Sequence, residues 1–206
     1  MENKQRINTI FTDIGGVLLT NGWDTASRNK AVELFKLDPK ETQDRHHLTF
    51  DTYEVGKLTL DEYLLRVVFY KKRSFTYDEF KKFMFRQSKP FPDMINMMKE
   101  LKKKYYLKIA VVSNEGRELN DYRIKKFGLT DFVDFFISSS FVHFRKPDAD
   151  IFKVALDVAQ AKTSKIVYID DRPLFVQVAA SVGIKGIIHT GYDSTLARLN
   201  DFGLYL

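Results

Sequence analysis

Short runs of apolar, β-branched and aromatic residues recur along the chain, each bounded by polar or turn residues. Runs of this length and composition predict β-strands. They occupy residues 7–12, 107–112, 133–137, 165–169 and 185–189. Between the later runs the apolar residues have helical spacing, at residues 92–104, 116–127, 148–160 and 173–182. Because strands and helices alternate over short links, the pattern predicts an α/β fold, with a parallel sheet covered by helices on both faces.

Local signals mark where two of these helices start and where two end. Pro173 lies where a first-turn proline is favoured, and Asp148 follows a proline ahead of an apolar run, so we expect helices to begin there. Gly128 and Gly183 follow helical runs, and glycine is the usual residue just past a helix end.

The segment between the first two predicted strands breaks the alternation. Residues 23–89 contain no clear strand, and their apolar residues have helical spacing. The simplest interpretation is a small all-helical domain inserted after the first strand. Pro90 and Pro92 mark the return to the α/β pattern. We therefore expect an α/β core made of residues 1–22 and 90–206, with the helical domain at residues 23–89.

Composition excludes several classes of function. Of the 206 residues 44% are hydrophobic and 29% are charged, as in ordinary globular proteins. The chain has no cysteine, which excludes disulfides, thiolate catalysis and cysteine-based zinc sites and fits a reducing compartment. No apolar stretch approaches the length of a secretory signal or a membrane span. We therefore expect a cytoplasmic protein with no membrane partner.

The net charge of +6 changes this picture little. The lysines are spread through helical segments such as residues 71–82 and 99–104, and no nucleic-acid-binding motif accompanies them. Scattered basic residues are usually solvated, so we expect no nucleic-acid partner. A moderate positive charge also suits a small anionic substrate.

Polar residues follow four of the apolar runs, and they carry the candidate chemistry. The segment TIFTDIGGVLL contains Asp13, and IAVVSNEG contains Ser113 and Asn114. The segment FRKPDADIF contains Lys146, and IVYIDDRP contains Asp170 and Asp171. Each alone has a plain structural explanation, such as a turn or a helix cap. Adjacent carboxylates repel each other unless a cation or a proton lies between them, so the Asp170–Asp171 pair suggests a hard metal ion. In parallel sheets ligands bind beyond the carboxyl ends of the strands, where all these residues lie.

In this order the segments resemble the haloacid dehalogenase-like (HAD) hydrolase superfamily, in the branch with a helical cap inserted after the first strand. The resemblance covers essentially the whole chain and implies a Rossmann-like core with residues 23–89 as the cap. Asp13 matches the family's nucleophile and Ser113 its second motif. Lys146 matches the third motif, within Lys-Pro-Asp, and the Asp170–Asp171 pair matches the fourth.

The resemblance implies a role for each matched residue. Asp13 would attack phosphorus and form an aspartyl-phosphate. Lys146 would offset negative charge, and Ser113 would donate hydrogen bonds to the transferring oxygens. Mg²⁺ would be the cofactor, with Asp171 as a direct ligand and Asp170 behind it. Asp13 and the backbone carbonyl of Gly15 complete the predicted metal ligands, and the predicted substrate-binding residues are Asn114, Gly16 and Trp23.

One residue departs from the family pattern. The first motif usually carries a second Asp two residues after the nucleophile, as general acid and base, and Gly15 stands there instead. General acid–base groups contribute about 10²–10⁴-fold, so the loss is serious. It disfavours phosphomutase activity and favours good leaving groups, such as anomeric sugar phosphates or acyl phosphates. Alternatively, a cap residue supplies the proton, the candidates being Asp24, His46, His47 and Glu54.

These observations predict a Mg²⁺-dependent phosphatase of a small phosphorylated metabolite, such as a sugar phosphate, acting as a monomer or homodimer. The alternative is a catalytically weak relative that binds a phosphorylated ligand or a protein partner. Metal-free dehalogenation is disfavoured, because the dehalogenases of the family lack the acidic pair that this chain keeps in Asp170 and Asp171. Neither the substrate nor the resting position of the cap follows from the sequence.

Overall fold

The computed structural model of the protein describes residues 6–206, so the first five residues of the predicted core segment 1–22 lie outside it. Its centre is a five-stranded sheet in which every neighbouring pair is parallel. The strands are β1 (Thr9–Thr12), β2 (Lys108–Ser113), β3 (Phe135–Ser138), β4 (Ile166–Asp170) and β5 (Lys185–Ile188). All five predicted strands are present, and the predicted parallel α/β sheet is confirmed.

Ten α-helices accompany the sheet in the described part of the chain. They are α1 (Thr25–Leu34), α2 (Pro39–Glu54), α3 (Leu60–Val67), α4 (Tyr77–Arg86), α5 (Pro92–Tyr105), α6 (Arg117–Lys126), α7 (Ser139–Val142), α8 (Asp150–Ala159), α9 (Pro173–Ser181) and α10 (Tyr192–Asp201).

The helix boundaries agree with the sequence signals except at α8. α9 begins at Pro173, and Gly128 and Gly183 have positive φ just beyond the ends of α6 and α9. The start of α8 was predicted at Asp148 but lies at Asp150. The Asp148 carboxylate accepts a hydrogen bond from the Asp150 backbone N–H at 2.9 Å, so this aspartate closes a turn that leads into the helix.

Alternate strand residues pack on opposite faces of the sheet, as the two-residue period of a strand requires. Ile10 and Val167 pack with residues of α5 and α10 on one face. Phe11 and Tyr168 pack with residues of α8 and α9 on the other. Both faces are therefore covered, which explains why the strands contain nearly continuous apolar runs.

The strand order places β1 in the middle of the sheet. The order is β3-β2-β1-β4-β5, so the chain builds one side of β1 with β2 and β3 and the other side with β4 and β5. A parallel sheet has a crevice at the carboxyl ends of its strands where the order reverses in this way. The residues that follow β1, β2 and β4 therefore meet at this crevice.

The helices α1 to α4, here called the four-helix segment, have a hydrophobic cluster of their own. Two of these helices begin with a capping box, a strong local signal. Thr59 and Glu62 form one at α3, and Thr76 and Glu79 form the other at α4. The cluster also takes in Leu119 from α6, so the segment is packed against the α/β part.

Hydrogen bonds fasten the four-helix segment to the α/β part beside the crevice. The Glu54 carboxylate accepts from Arg145 at 2.8 Å, and its backbone carbonyl accepts from the Ser139 hydroxyl at 2.6 Å. The Leu60 N–H donates to Glu118 at 2.9 Å. In the described range no helix is both long enough and apolar enough to cross a membrane.

We expect Leu64→Ala to lower the free energy of unfolding by about 2–5 kcal/mol, because its fully buried side chain would leave a cavity. Leu65→Ala is the matched control, since the neighbouring leucine is 59% exposed and should change stability by less than about 0.5 kcal/mol. Urea unfolding of both variants measures the difference. Equal losses would contradict the described packing of α3.

Candidate active site

Asp13 lies directly after β1 and faces the crevice. Its N–H donates to the Ile169 carbonyl at 2.9 Å, which extends the sheet register by one residue. One carboxylate oxygen accepts the N–H of Ile14 at 2.8 Å, so the backbone holds the side chain. The turn that follows is closed by the Leu19 N–H, which donates to the Ile14 carbonyl at 2.9 Å.

The Lys146 side chain is fully buried, and its ammonium group joins Asp13, just after β1, to Asp170, the last residue of β4. Its Nζ lies 3.3 Å from Asp13 Oδ1 and 2.7 Å from Asp170 Oδ2. It also donates to the Tyr168 hydroxyl at 2.9 Å. A buried ammonium needs charged and hydrogen-bonding partners of this kind, because it has lost its water.

Asn114 fixes the backbone of Lys146. Its Nδ2 donates to the Lys146 carbonyl at 2.8 Å, and its Oδ1 accepts the Lys146 N–H at 2.8 Å. The residue also lines the cavity described below. Asn114 was predicted to bind substrate, and the structure shows that its side chain amide positions Lys146.

The two adjacent aspartates have different surroundings. Asp170 is fully buried, and its carboxylate accepts from Lys146, from the Tyr168 hydroxyl and from the Arg172 N–H. Asp171 Oδ1 is buried and has no hydrogen-bond partner among the described residues. Asp171 therefore keeps an acceptor oxygen free, whereas both oxygens of Asp170 are engaged.

The three carboxylates fit a hard divalent cation. Ligand oxygens of Asp13, Asp170 and Asp171 lie within 4.8 Å of one another, and among residues 6–206 Lys146 is the one cation that bridges two of them. Burial raises the pKa of Asp13, against the effect of Lys146, and the Asp170 charge raises it further. Burial and then Asp170 raise the pKa of Asp171. Negative charge is thus in excess, and carboxylate oxygens are the ligands that Mg²⁺ prefers.

The glycine pair after Asp13 has two separate structural roles. The Gly15 carbonyl accepts none of the hydrogen bonds that close the following turn, so it is free to act as the predicted metal ligand. Gly16 has φ +74°, and a Cβ there would lie 2.3 Å from Asp171 Oδ2. The structure places Gly16 beside Asp171 and outside the wall of the Asp13 cavity, so its predicted contact with substrate remains a prediction.

A cavity of about 350 Å³ opens in front of Asp13 between the α/β part and the four-helix segment. Ser113, Asn114 and Lys146 line it on the Asp13 side. The Ser113 hydroxyl near Asp13 acts to lower the pKa of that carboxyl group and so favours its charged form. The structure brings these sequence-predicted residues to one place, and their catalytic roles remain predictions.

Trp23 both lines the cavity and anchors the chain where it leaves the core. Its Nε1 donates to the Tyr63 hydroxyl at 3.0 Å, and its ring meets the Phe80 ring edge-on at 5.8 Å. An indole N–H can only donate, so the Tyr63 hydroxyl hydrogen is left for Nδ1 of His46, 2.7 Å away. His46 is therefore held in its neutral form.

Asn21 lies where a side chain at position 15 would extend. A Cβ built on Gly15 would lie 2.9 Å from Asn21 Oδ1, a side-chain atom that can move. The missing acid of the first motif is therefore replaced in space by an amide, which cannot donate a proton as an acid does.

The candidate replacement acids predicted from the cap are largely engaged. Asp24 caps α1 by accepting the Ser27 N–H at 2.8 Å. Burial lowers the pKa of His46 to about 3, so it is neutral at pH 7. Burial raises the pKa of Glu54, while Arg145 opposes the shift by an ion pair. His47 lines the cavity, and its role as the replacement acid stays a prediction.

The structure adds cavity residues that sequence reasoning did not predict. Glu115 and Arg123 form a buried ion pair, and burial raises the pKa of Glu115 to about 7, against the effect of Arg123. Gly22 makes room for the pair, since a Cβ there would lie 2.7 Å from Arg123 Nη1. Glu115 follows the Ser113–Asn114 motif directly, a signal that could have identified it. Arg28 has no comparable signal in the sequence.

A match to a family model shows which protein family the chain belongs to. The model of the haloacid dehalogenase-like hydrolases matches residues 20–188, a range that begins after Asp13. The chain therefore belongs to the haloacid dehalogenase-like hydrolase family, as its motifs predicted. No curated protein matches the sequence.

Solved structures with the same fold come from several members of the family. A HAD family enzyme from Bacteroides thetaiotaomicron superposes with a TM-score of 0.77 at 18% identity, over 91% of this chain and 96% of that one. It has also been solved in complex with magnesium and inorganic phosphate. A predicted HAD-like hydrolase from Porphyromonas gingivalis gives 0.70 at 22% identity, over 94% and 98%. L-2-haloacid dehalogenase from Xanthobacter autotrophicus gives 0.62 at 16%, over 96% and 83%.

We expect the His46 imidazole to show no titration between pH 5 and 8, because its folded pKa of about 3 lies far below the ordinary value. The linked stability is present above about pH 6.5 and is lost as the pH falls toward 3, since the unfolded chain binds the proton first. NMR spectra over this range test the expectation, with His46→Gln to assign the signal. A midpoint near 6.5 would contradict it.

Proposed function

We propose that this hydrolase is a Mg²⁺-dependent phosphatase of a small phosphorylated metabolite, such as a sugar phosphate. One observation carries the proposal: a buried lysine bridges Asp13 and Asp170 beside an aspartate that keeps a free buried oxygen. A carboxylate nucleophile with a hard-metal ligand set suits phosphoryl transfer. The magnesium and phosphate bound by the Bacteroides enzyme support the same assignment.

In the proposed first step an Asp13 carboxylate oxygen attacks the phosphorus atom. The bond from phosphorus to the substrate oxygen breaks, the leaving oxygen departs with the bonding electron pair and takes its proton from water, and an aspartyl-phosphate forms on Asp13. Lys146 and Ser113 stabilise negative charge on the transferring oxygens, since each lies next to Asp13. Water then attacks the phosphorus atom, the bond from phosphorus to the Asp13 oxygen breaks, and inorganic phosphate leaves the regenerated Asp13 carboxylate. Mg²⁺ held by Asp13, Asp171 and the Gly15 carbonyl would supply charge neutralisation, with Asp170 behind them.

The four-helix segment serves in this proposal as a cap over the cavity, with residues 23–89 as the cap domain and residues 1–22 and 90–206 as the core. Covering the site would exclude water and limit the size of the substrate. The cavity of about 350 Å³ suits a small molecule better than a protein substrate. A cytoplasmic location and a monomeric or homodimeric state complete the proposal.

Haloacid dehalogenases share this fold, so dehalogenation needs separate consideration. The acidic pair argues against it here. Asp171 offers a buried oxygen with no partner among the described residues, and such an oxygen is costly unless it binds a cation. A metal-dependent reaction explains why the buried oxygen of Asp171 has no protein partner, whereas a metal-free reaction does not.

We expect Asp13→Asn to lower kcat by about 10⁴-fold or more, because the amide cannot act as the nucleophile. The assay measures phosphate release from a panel of sugar phosphates, acyl phosphates and nucleotides, with Mg²⁺ and with a chelator. Chelation should abolish turnover of the unaltered protein. Asp157→Asn is the matched control, since Asp157 is an exposed residue on α8 and should leave activity unchanged.

Two results would overturn the mechanism: turnover that survives Asp13→Asn, or full turnover with the chelator. Tight phosphate binding without turnover of any panel member would favour the alternative, a catalytically weak relative that binds a phosphorylated ligand or a partner protein.

We expect Gly15→Asp to raise turnover of alkyl phosphates, which are poor leaving groups, about 10-fold more than turnover of an aryl phosphate. A carboxyl group at this position would supply the missing proton. Gly15→Asn is the matched control, because it has the same size and no acidic proton. Asn21→Ser removes the crowding at 2.9 Å and should be tested in combination. No advantage of Asp over Asn in either background would contradict the expectation.

A further inference from the structure

Arg28, near the start of α1, is a buried cation held by neutral acceptors. It is only 8% exposed. Its Nη1 donates to the Trp23 carbonyl at 2.7 Å, its Nη2 to the Thr25 hydroxyl at 3.0 Å, and its Nε to Gln43 Oε1 at 3.3 Å. Within residues 6–206 no carboxylate oxygen lies within 4.0 Å of the guanidinium.

The other cations of the cavity that are buried or half-buried have carboxylate partners. These ion pairs are Arg123 with Glu115, Arg145 with Glu54, and Lys146 with Asp13. Asp24 and Glu54 act on Arg28 only from beyond ion-pair distance, and both are engaged elsewhere. Burying a guanidinium without a neutralising partner costs free energy. An anion from outside the chain, bound by Arg28, would offset that cost.

The position of Arg28 suits such an anion. It lines the same cavity as Asp13 but belongs to the four-helix segment, and it is the only Lys or Arg that this segment contributes to the described wall. A guanidinium has five N–H donors, and three are used by the bonds above. One N–H therefore remains on each terminal nitrogen, and the two can donate to the oxygens of one oxyanion.

We propose that the substrate carries a second anionic group, a carboxylate or a second phosphate, and that Arg28 binds it. The inference rests on the proposed phosphatase function and narrows its substrate class. The phosphoryl group would lie at Asp13, and the second anion would lie at Arg28. A molecule with an anion at each end would join the α/β part to the four-helix segment, so binding would itself favour the covered site.

Phosphoglycerate and glycerol phosphate provide a matched test, because they differ by a carboxylate in place of a hydroxymethyl group. We expect kcat/KM to be about 10- to 100-fold higher for phosphoglycerate, the usual strength of a hydrogen bond to a charged group. An anomeric sugar phosphate, whose leaving oxygen departs more readily, forms the second arm when it is compared with the same compound carrying a second phosphate. Preference in the first arm identifies a carboxylate, and preference in the second identifies a phosphate.

Three variants locate the effect. Arg28→Gln should remove most of the preference by raising KM for the doubly anionic ester, and Arg28→Lys, which keeps the charge but loses the planar fork, should keep part of it. Arg86→Gln, an exposed arginine of the same segment, should leave both esters unchanged. Because Arg28 also bonds the Trp23 carbonyl, thermal unfolding of each variant shows whether the fold is kept.

The outcomes separate this inference from the proposed function. Equal turnover of the paired esters by the unaltered protein would overturn the role of Arg28 and leave the phosphatase proposal standing. An equal loss for both esters in a folded Arg28→Gln variant would do the same. Absence of turnover on every ester, with Mg²⁺ present, would overturn both.

Discussion

The contact between the buried Lys146 ammonium and the carboxylates of Asp13 and Asp170 is the interaction on which this site depends. Two carboxylates so close together would otherwise repel in a place that water hardly reaches. The lysine offsets part of that repulsion, and the two hydrogen bonds between Asn114 and the Lys146 backbone fix its position. With Asp171 added, the carboxylates still outnumber the bridging lysine. The lysine therefore lets the carboxylates be buried together in the folded protein, but it does not neutralise all of their charge. A divalent cation would neutralise the remainder.

The sheet explains why these charges meet. β1 lies between β2 and β4, so the residues after the three strands share one end of the sheet. Within β4, side chains alternate between the faces, and Tyr168 and Asp170 therefore point to the same face. Lys146 precedes α8, which packs on that face, and its ammonium reaches both side chains. The topology of the sheet and the two-residue period of β4 together bring Lys146 next to Tyr168 and Asp170.

The sheet and the residues at its carboxyl edge could be predicted from the sequence, whereas the cavity residues from the helices could not. The five strands, their parallel direction and the meeting of Asp13, Ser113, Lys146 and the acidic pair follow from local patterns and from the geometry of parallel sheets. The helix α10 was not predicted, and the start of α8 was placed two residues early, because a turn closed by Asp148 resembles a helix start in sequence. Arg28 and Glu115 were not predicted as cavity residues. Which face of α1 meets the core depends on tertiary packing, so the sequence neighbours of Arg28 do not determine its position. Glu115 directly follows the Ser113–Asn114 motif, and that adjacency could have identified it.

The arrangement of acids in the cavity bears on the leaving group. Burial raises the pKa values of Glu54 and Glu115, but arginines bind both, and burial lowers the pKa of His46 so that it is neutral. A carboxyl group paired with a guanidinium gives up its ion pair when it takes a proton, which makes it a poor general acid. The space beside Gly15, where the missing acid would extend, is occupied by Asn21, which has no acidic proton. These contacts favour a substrate whose leaving oxygen departs without protonation, as from an anomeric sugar phosphate or an acyl phosphate. Such a substrate can still carry a second anion for Arg28, because that group lies away from the bond that breaks.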